Sequence, residues 1–150
     1  MIHAIRHGAR RAMLAATLVQ GLHHAHSALS RDDLDGTSVH LTKNLFLAPN
    51  HAPSLAALGH VHQVQSDLST SLHYTQRAFV LLQLAERRRV QQVEAAATTS
   101  TVDDTTDDSH PDPLFVQVAH RLARLQYLRG RLHLSEAAFV PARAAFARAV

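Results

Sequence analysis

Histidine is the residue type in this chain with the most capacity for chemistry. The sequence contains 13 histidines, and His23, His24 and His26 form its densest cluster. His23 and His26 share one face of a helix, where two imidazoles and a carboxylate could bind zinc. No Asp or Glu lies within one helical turn of either residue. We therefore expect no metal and no cofactor, and we interpret these histidines as packed or solvated side chains.

The segment Arg6-His7-Gly8-Ala9-Arg10 is the second candidate for chemistry. It resembles the Arg-His-Gly motif of histidine phosphatases. That resemblance implies that His7 accepts a phosphoryl group while Arg6 and Arg10 bind phosphate oxygens. In that family the motif follows a buried strand of an α/β sheet, whereas residues 1–5 make a short strand and no alternating strands follow. A phosphatase-like enzyme is therefore the alternative function, and we expect no catalysis.

Composition favours one helical domain. The chain has 150 residues, of which 46% are hydrophobic, with five Gly, five Pro and no Cys. Ala and Leu supply most of the apolar residues and both favour helices. Without cysteine, disulfides and thiolate sites are excluded. No apolar run reaches the roughly 18 residues of a membrane span. The net charge of +3 is too small to indicate nucleic-acid binding. We expect neither a nucleic-acid nor a membrane partner.

Hydrophobic periodicity divides the chain into helices separated by turn residues. Ser30-Arg31-Asp32-Asp33, Pro49-Asn50 and Ser66-Asp67 mark the turns. The Thr/Asp-rich segment 95–112 is predicted to be a loop. Around it we predict helices at 10–30, 35–47, 53–65, 68–93, from Pro113 to about residue 137, and 142–150.

A regular spacing of small and large residues resembles the tetratricopeptide repeat (TPR) family, whose units are helical pairs of about 34 residues. Two units carry most of the likeness. Thr75 departs from the family by replacing an aromatic residue. A competing register places Gly130 at a turn, but it would leave Pro141 inside a helix. The matching positions, which we assign to repeat packing, are Leu55, Leu58, Gly59, Ser71, Ala78, Gly130, Ala142, Phe146 and Ala149.

The first unit resembles the family less closely. Ala25, Thr37, Leu41 and Pro49 fit, whereas His24 and Asn44 do not. The segment 108–112, Asp-Ser-His-Pro-Asp, is similar to linkers of the kinesin-light-chain-like subset of the family. Together these resemblances imply an all-α helical-hairpin solenoid of about three TPR-like units. The implied divisions are an N-terminal extension 1–17, units 1 and 2 in 18–94, a loop 95–112, and unit 3 in 113–150.

TPR-like arrays bind a partner peptide or helix in a concave groove lined by the first helix of each pair. We therefore expect a protein-protein interaction module or scaffold. Its partner is expected to be acidic, because Arg124 and Arg131 would pair with carboxylates while Tyr127 provides an aromatic anchor. Alternatively, both arginines only aid solubility. By repeat position, the groove residues are Leu22, His26, Ala56, His60, Gln63, Arg124, Tyr127 and Arg131.

The charge of the N-terminal segment bears on cellular location. Residues 1–31 contain Arg6, Arg10, Arg11 and Arg31 but no acid. Mitochondrial presequences share this composition, as can the first helix of an array. We expect a cytoplasmic protein, with a mitochondrial location as the alternative. The sequence leaves the oligomeric state open.

Overall fold

The computed structural model describes the backbone of residues 2–99 and 111–135, with side chains for 8–92, 94–95 and 111–129. This part of the chain contains no strand, so the predicted all-α class is confirmed. The chain divides into two compact units, Met1–Tyr74 and Thr75–Val150. The helices are α1 (Ile2–Leu29), α2 (Leu34–Leu47), α3 (Ala52–Val64), α4 (Leu68–Thr99) and α5 (Pro113–Ser135).

Two helices are longer than the sequence analysis predicts. Helix α1 begins at Ile2, so residues 2–9 of the expected N-terminal extension are helical. Helix α4 continues to Thr99, so residues 95–99 are helical where we predicted the loop to begin. Residues 95–97 are alanines, the strongest helix formers, and they outweigh the less favourable threonines that follow. The rest of that loop, 100–110, and the predicted final helix, 142–150, lie outside the described residues.

The same turn joins α1 to α2 and α3 to α4 within the first unit. Asp32 has φ 61° and Ser66 has φ 63°, both in the left-handed region, and the two residues are 34 positions apart. In each turn the next residue is an aspartate that caps the following helix. Asp33 accepts a hydrogen bond from the Gly36 amide at 2.8 Å, and Asp67 accepts one from the Thr70 amide at 3.1 Å.

A buried hydroxyl links the two helices of each hairpin. Thr37 Oγ1 donates to the Ala25 carbonyl at 3.4 Å, and Ser71 Oγ donates to the Gly59 carbonyl at 2.6 Å. Both bonds span 12 residues, and the two pairs are again 34 positions apart. The small acceptor residues allow the helix backbones to approach closely. We therefore define α1–α2 as the first hairpin and α3 with residues 68–74 of α4 as the second hairpin.

The core of the first unit is formed where α3 packs against the first hairpin. Its buried centre consists of Ala25, Leu41, Leu58 and Val61. Burying each large aliphatic side chain here contributes about 1.5–3 kcal/mol. The partly buried residues packed around this centre are Leu22, Leu34, Leu45, Ala57 and Tyr74.

The second unit has its own buried face. On α5, Val118 and Leu125 are each 1% exposed. They lie seven positions apart and therefore on one side of the helix. Residues 75–99 of α4 contribute Ala78 and Leu82 to the buried set. The rings of Phe79 and Phe115 stack with centroids 5.5 Å apart, joining α4 to the first turn of α5.

Candidate functional site

Three of the predicted groove residues lie in the first unit, on the first helix of each hairpin. His26 is exposed in the last turn of α1, whereas His60 and Gln63 are half-buried on α3. His26 and His60 occupy equivalent positions, 34 residues apart. Imidazole and amide groups at this surface can both donate and accept hydrogen bonds, which suits a peptide backbone.

Two further residues that we assigned to the groove belong to the packed interior instead. Ala56 is buried, and Leu22 packs against the core of the first unit. They are equivalent positions of the two hairpins, separated by 34 residues. Both side chains are apolar, so burial stabilises them more than exposure in an open groove would. A groove on the first unit would therefore be lined by His26, His60 and Gln63.

The other groove candidates lie on α5 in the second unit. Arg124 and Tyr127 are exposed, while the side chain of Arg131 lies outside the described part of the chain. Helix α5 contains no Asp or Glu from Pro113 to Ser135, so its surface is basic. Arg121 is half-buried, a feature that sequence analysis missed, and burial lowers the pKa of its guanidinium. An arginine nevertheless remains protonated at neutral pH.

Five of the residues predicted to pack the repeats are buried. Four of them are in the first unit and one is in the second. Gly130 lies on the backbone of α5, and its surroundings are not described. Ala142, Phe146 and Ala149 lie outside the described residues, so their assignment to the third unit stays a prediction. The five buried positions are Leu55, Leu58, Gly59, Ser71 and Ala78.

A buried chain of hydrogen bonds joins the first three helices. Asn44 Nδ2 on α2 donates to the Leu18 carbonyl on α1 at 2.9 Å and to Ser54 Oγ on α3 at 3.2 Å. Ser54 Oγ lies 2.8 Å from His51 Nδ1. Because Ser54 accepts from Asn44, its own proton is available to His51 when Nδ1 is unprotonated. Burial lowers the pKa of His51, which favours that neutral ring.

Gly21 makes space for the Asn44 side chain. A Cβ atom placed on Gly21 would lie 2.0 Å from Asn44 Oδ1, far inside van der Waals contact. Sequence analysis treats Asn44 only as a mismatch to the repeat pattern, because nothing local to it predicts a partner on another helix. The structure shows that Asn44 and Gly21 fit together, so the departure from the pattern has a packing reason.

The turn of the second hairpin holds a small polar cluster. His62 Nδ1 lies 3.8 Å from Asp67 Oδ2, and the His62 ring stacks on Tyr74 at 5.6 Å. Hydrogen bonds from Thr70 are the main reason that the pKa of Asp67 lies below its usual range, and His62 adds a smaller effect. These contacts secure the helix cap and the turn. They leave no arrangement of nucleophile and base that would indicate catalysis by this cluster.

The phosphatase-like motif does not have the structural context that its chemistry requires. Arg6, His7 and Gly8 lie within α1, which is helical from Ile2 onward. A strand that ends at the motif is what exposes the histidine in the α/β arrangement, and helix occupies that place here.

Metal ligation and membrane crossing find no support in the described part of the chain. The His24 ring lies 6.2 Å from that of His23 and 5.5 Å from that of His40 on α2. Among the residues whose side chains are described, no three His, Cys, Asp or Glu residues are arranged to hold a metal ion. None of the helices in residues 2–99 and 111–135 combines the length and hydropathy needed to cross a membrane.

No protein-family model, no curated protein and no solved structure matches this chain. Function is therefore inferred from the residues and geometry of the chain itself.

Proposed function

We propose that this chain is a protein-binding module built from TPR-like helical hairpins that stack into a solenoid of about three units. The observation that carries the proposal is the recurrence of one hairpin geometry in the first unit. The left-handed turn residue, the capping aspartate and the buried hydroxyl-to-carbonyl bond all recur after 34 residues. This spacing is the period of the TPR family.

Stacked hairpins produce a binding surface because each unit presents the same helix to the same side. The first helices line a concave face that accepts an extended peptide or an amphipathic helix. In the first unit, His26, His60 and Gln63 provide hydrogen-bonding groups on these helices. We propose that these residues contact the backbone and polar side chains of the partner.

The proposed partner is an acidic peptide or protein segment. Helix α5 lacks acidic residues and exposes Arg124, whose guanidinium can bind a carboxylate through two parallel hydrogen bonds. Tyr127, one turn further along α5, is half-exposed and offers an aromatic surface of the kind that anchors protein interfaces. Arg131 lies one further turn along the same helix and extends the basic surface in our proposal.

Binding of a peptide library with graded Asp and Glu content to the immobilised chain tests this proposal. We expect acidic peptides to bind and Arg124→Glu to weaken them at least about tenfold, equivalent to about 1.4 kcal/mol. Arg129→Glu is the matched control, because Arg129 is equally charged and exposed on α5 but lies about 140° around the helix from Arg124. We expect this control to bind like the wild type.

Two results would overturn the proposal. If no acidic peptide is selected, the partner chemistry is wrong. If Arg124→Glu and Arg129→Glu weaken binding equally, binding reflects only the overall charge and the assigned face is wrong. Circular dichroism of both variants verifies that each remains helical.

A further inference from the structure

One side of α2 carries an exposed row of mixed character. Asp35, Val39, Lys43 and Phe46 are all exposed and follow one another at intervals of four, four and three positions. These intervals place the four residues on one face of the helix, and we call this face the α2 stripe. Phe46 is 87% exposed and Val39 is 52% exposed. Eleven positions of helix make the α2 stripe about 16 Å long.

The α2 stripe faces away from the core of the first unit. The residues of α2 that are buried, Thr37, Leu41 and Asn44, lie on the opposite side of the helix. Within the described part of the chain, neither Asp35 nor Lys43 takes part in an ion pair. The stripe therefore presents two apolar side chains and two opposite charges that no other side chain of the first unit neutralises.

The order of these residues makes the α2 stripe complementary to itself. If two copies of α2 pack antiparallel about a two-fold axis at Val39, Asp35 of each copy faces Lys43 of the other. The two valines meet at the axis, and each Phe46 reaches the turn before α2 of the other copy. One surface thus supplies both sides of the interface, as in a dimer with two-fold symmetry. Two ion pairs form where parallel packing would form none.

The equivalent face of α4 provides an internal comparison. Thirty-four positions after the α2 stripe, the residues are Ser69, His73, Arg77 and Val80, all exposed. This set contains a cation and an aliphatic residue but neither an acid nor a benzyl ring. Antiparallel self-pairing of that face would place like charges near each other without a compensating carboxylate. Self-complementarity is therefore a property of α2 and not of the repeat.

We propose that the α2 stripe is a homodimer interface that binds the α2 stripe of a second copy of this chain in antiparallel orientation. The surface is on the second helix of the first hairpin, so it does not include the proposed peptide-binding residues, and the inference stands apart from the proposed function. A single pair of short helices buries little area by the standards of stable complexes. The dimer is consequently weak and depends on protein concentration.

Sedimentation velocity of the whole chain over a wide concentration range tests the interface. We expect the wild type to shift from monomer to dimer as concentration rises into the high micromolar range. Phe46→Glu and Lys43→Asp should each remain monomeric at the highest concentration. Asp35→Lys/Lys43→Asp exchanges the two charges and should recover the dimer, because the antiparallel arrangement still pairs opposite charges.

Val80→Glu is the matched control at the equivalent exposed position of α4, and it should dimerise like the wild type. Thermal melts followed by circular dichroism check that every variant folds, including the charge exchange, which removes an acid from the first turn of α2. A wild type that stays monomeric overturns the proposal and indicates a different occupant for the stripe. A dimer that survives both Phe46→Glu and Lys43→Asp overturns it as well. A charge exchange that folds without recovering the dimer overturns the antiparallel register.

Discussion

The first and second hairpins of the Met1–Tyr74 unit close with the same hydrogen bonds, yet they carry different side chains at equivalent positions. Both turn through a left-handed residue, cap the next helix with aspartate, and join their helices through a hydroxyl. The first hairpin then places Gly21 beside Asn44, whereas the equivalent positions hold Leu55 and Ala78. A small-large pair in one repeat is thus replaced by a large-small pair in the next.

This comparison separates the features that define the hairpin from those that only fill it. Turn geometry and the hydroxyl bond are retained because they set the approach of two helix backbones. Interior volume can be redistributed between two positions as long as their sum is similar. The comparison also identifies a weak point at Thr75, which is fully buried and whose hydroxyl has no hydrogen-bond partner among the described residues. The equivalent residue of the first hairpin is the apolar Leu41.

The largest expected effect comes from Leu58→Ala. Leu58 is 3% exposed in the core of the first unit, so truncation should lower the free energy of unfolding by about 2–5 kcal/mol through a cavity. His24 is the equivalent residue of the first hairpin and is exposed, so His24→Ala should change stability by no more than about 0.5 kcal/mol. Urea denaturation measures both variants. Equal losses would show that the two positions do not differ in packing as described.

An exchange of interior residues tests the small-large pair directly. Gly21→Leu forces Asn44 away from its hydrogen-bond partners and should cost about 1–3 kcal/mol. Gly21→Leu/Asn44→Ala installs the residues of the second hairpin and should be more stable than Gly21→Leu alone. Urea denaturation of the single and double variants gives the coupling energy of the pair. Strictly additive effects would contradict the contact between these two residues.

The hydroxyl bonds should differ in strength between the hairpins. Ser71 Oγ lies 2.6 Å from the Gly59 carbonyl, so Ser71→Ala should cost about 0.5–1.5 kcal/mol. Thr37 Oγ1 lies 3.4 Å from the Ala25 carbonyl and 2.6 Å from the Asp33 carbonyl of its own helix. Thr37→Val keeps the branched shape and should cost less than Ser71→Ala. Thermal denaturation compares them, and the reverse order would show that distance does not rank the two bonds.

The smallest expected effect is a pH dependence that belongs to His51. Burial lowers the pKa of His51 in the folded chain from its ordinary value of 6.5. Unfolded chains then bind more protons than folded ones between the two pKa values, so stability falls as pH decreases through this range. Above the ordinary pKa the contribution is complete. The unfolding free energy of the wild type should therefore decrease below about pH 6.5.

Substitution isolates this contribution from those of the other histidines. His51→Ala should be less stable than the wild type at neutral pH, and the difference should diminish as the pH is lowered. His73→Ala removes an exposed histidine and should show a pH profile parallel to that of the wild type. A difference between wild type and His51→Ala that stays constant with pH would exclude the neutral ring as the form that accepts from Ser54.

Local sequence signals predict the helix boundaries well. Capping aspartates and prolines place the starts of α2, α3 and α5 within one residue of their observed positions. The end of α4 is predicted less well, because its alanine run carries the helix into a segment whose Thr and Asp content indicates a loop. Helix ends depend on the balance of neighbouring propensities, and no single residue marks the end of α4.

The interior network could not be predicted from the sequence. Asn44 reaches Leu18, 26 positions away, and its fit beside Gly21 depends on how α1 and α2 cross. The exposure of Phe46 is of the same kind, because an apolar residue in a helix does not reveal which face is covered. Spacing did indicate positions such as His26 and His60 on corresponding helices. Ala56 and Leu22 shared that spacing and are buried, so repeat position alone does not establish exposure.

The short loops closed by the two hydroxyl bonds have a consequence for folding kinetics. Each bond joins residues only 12 positions apart, so little chain entropy is lost before the contact forms. Chains dominated by such nearby contacts fold rapidly. During synthesis, the first hairpin can form while the second is still inside the ribosome, since it needs no residue beyond Leu47 for its own closure. The second hairpin then assembles on a surface that already exists.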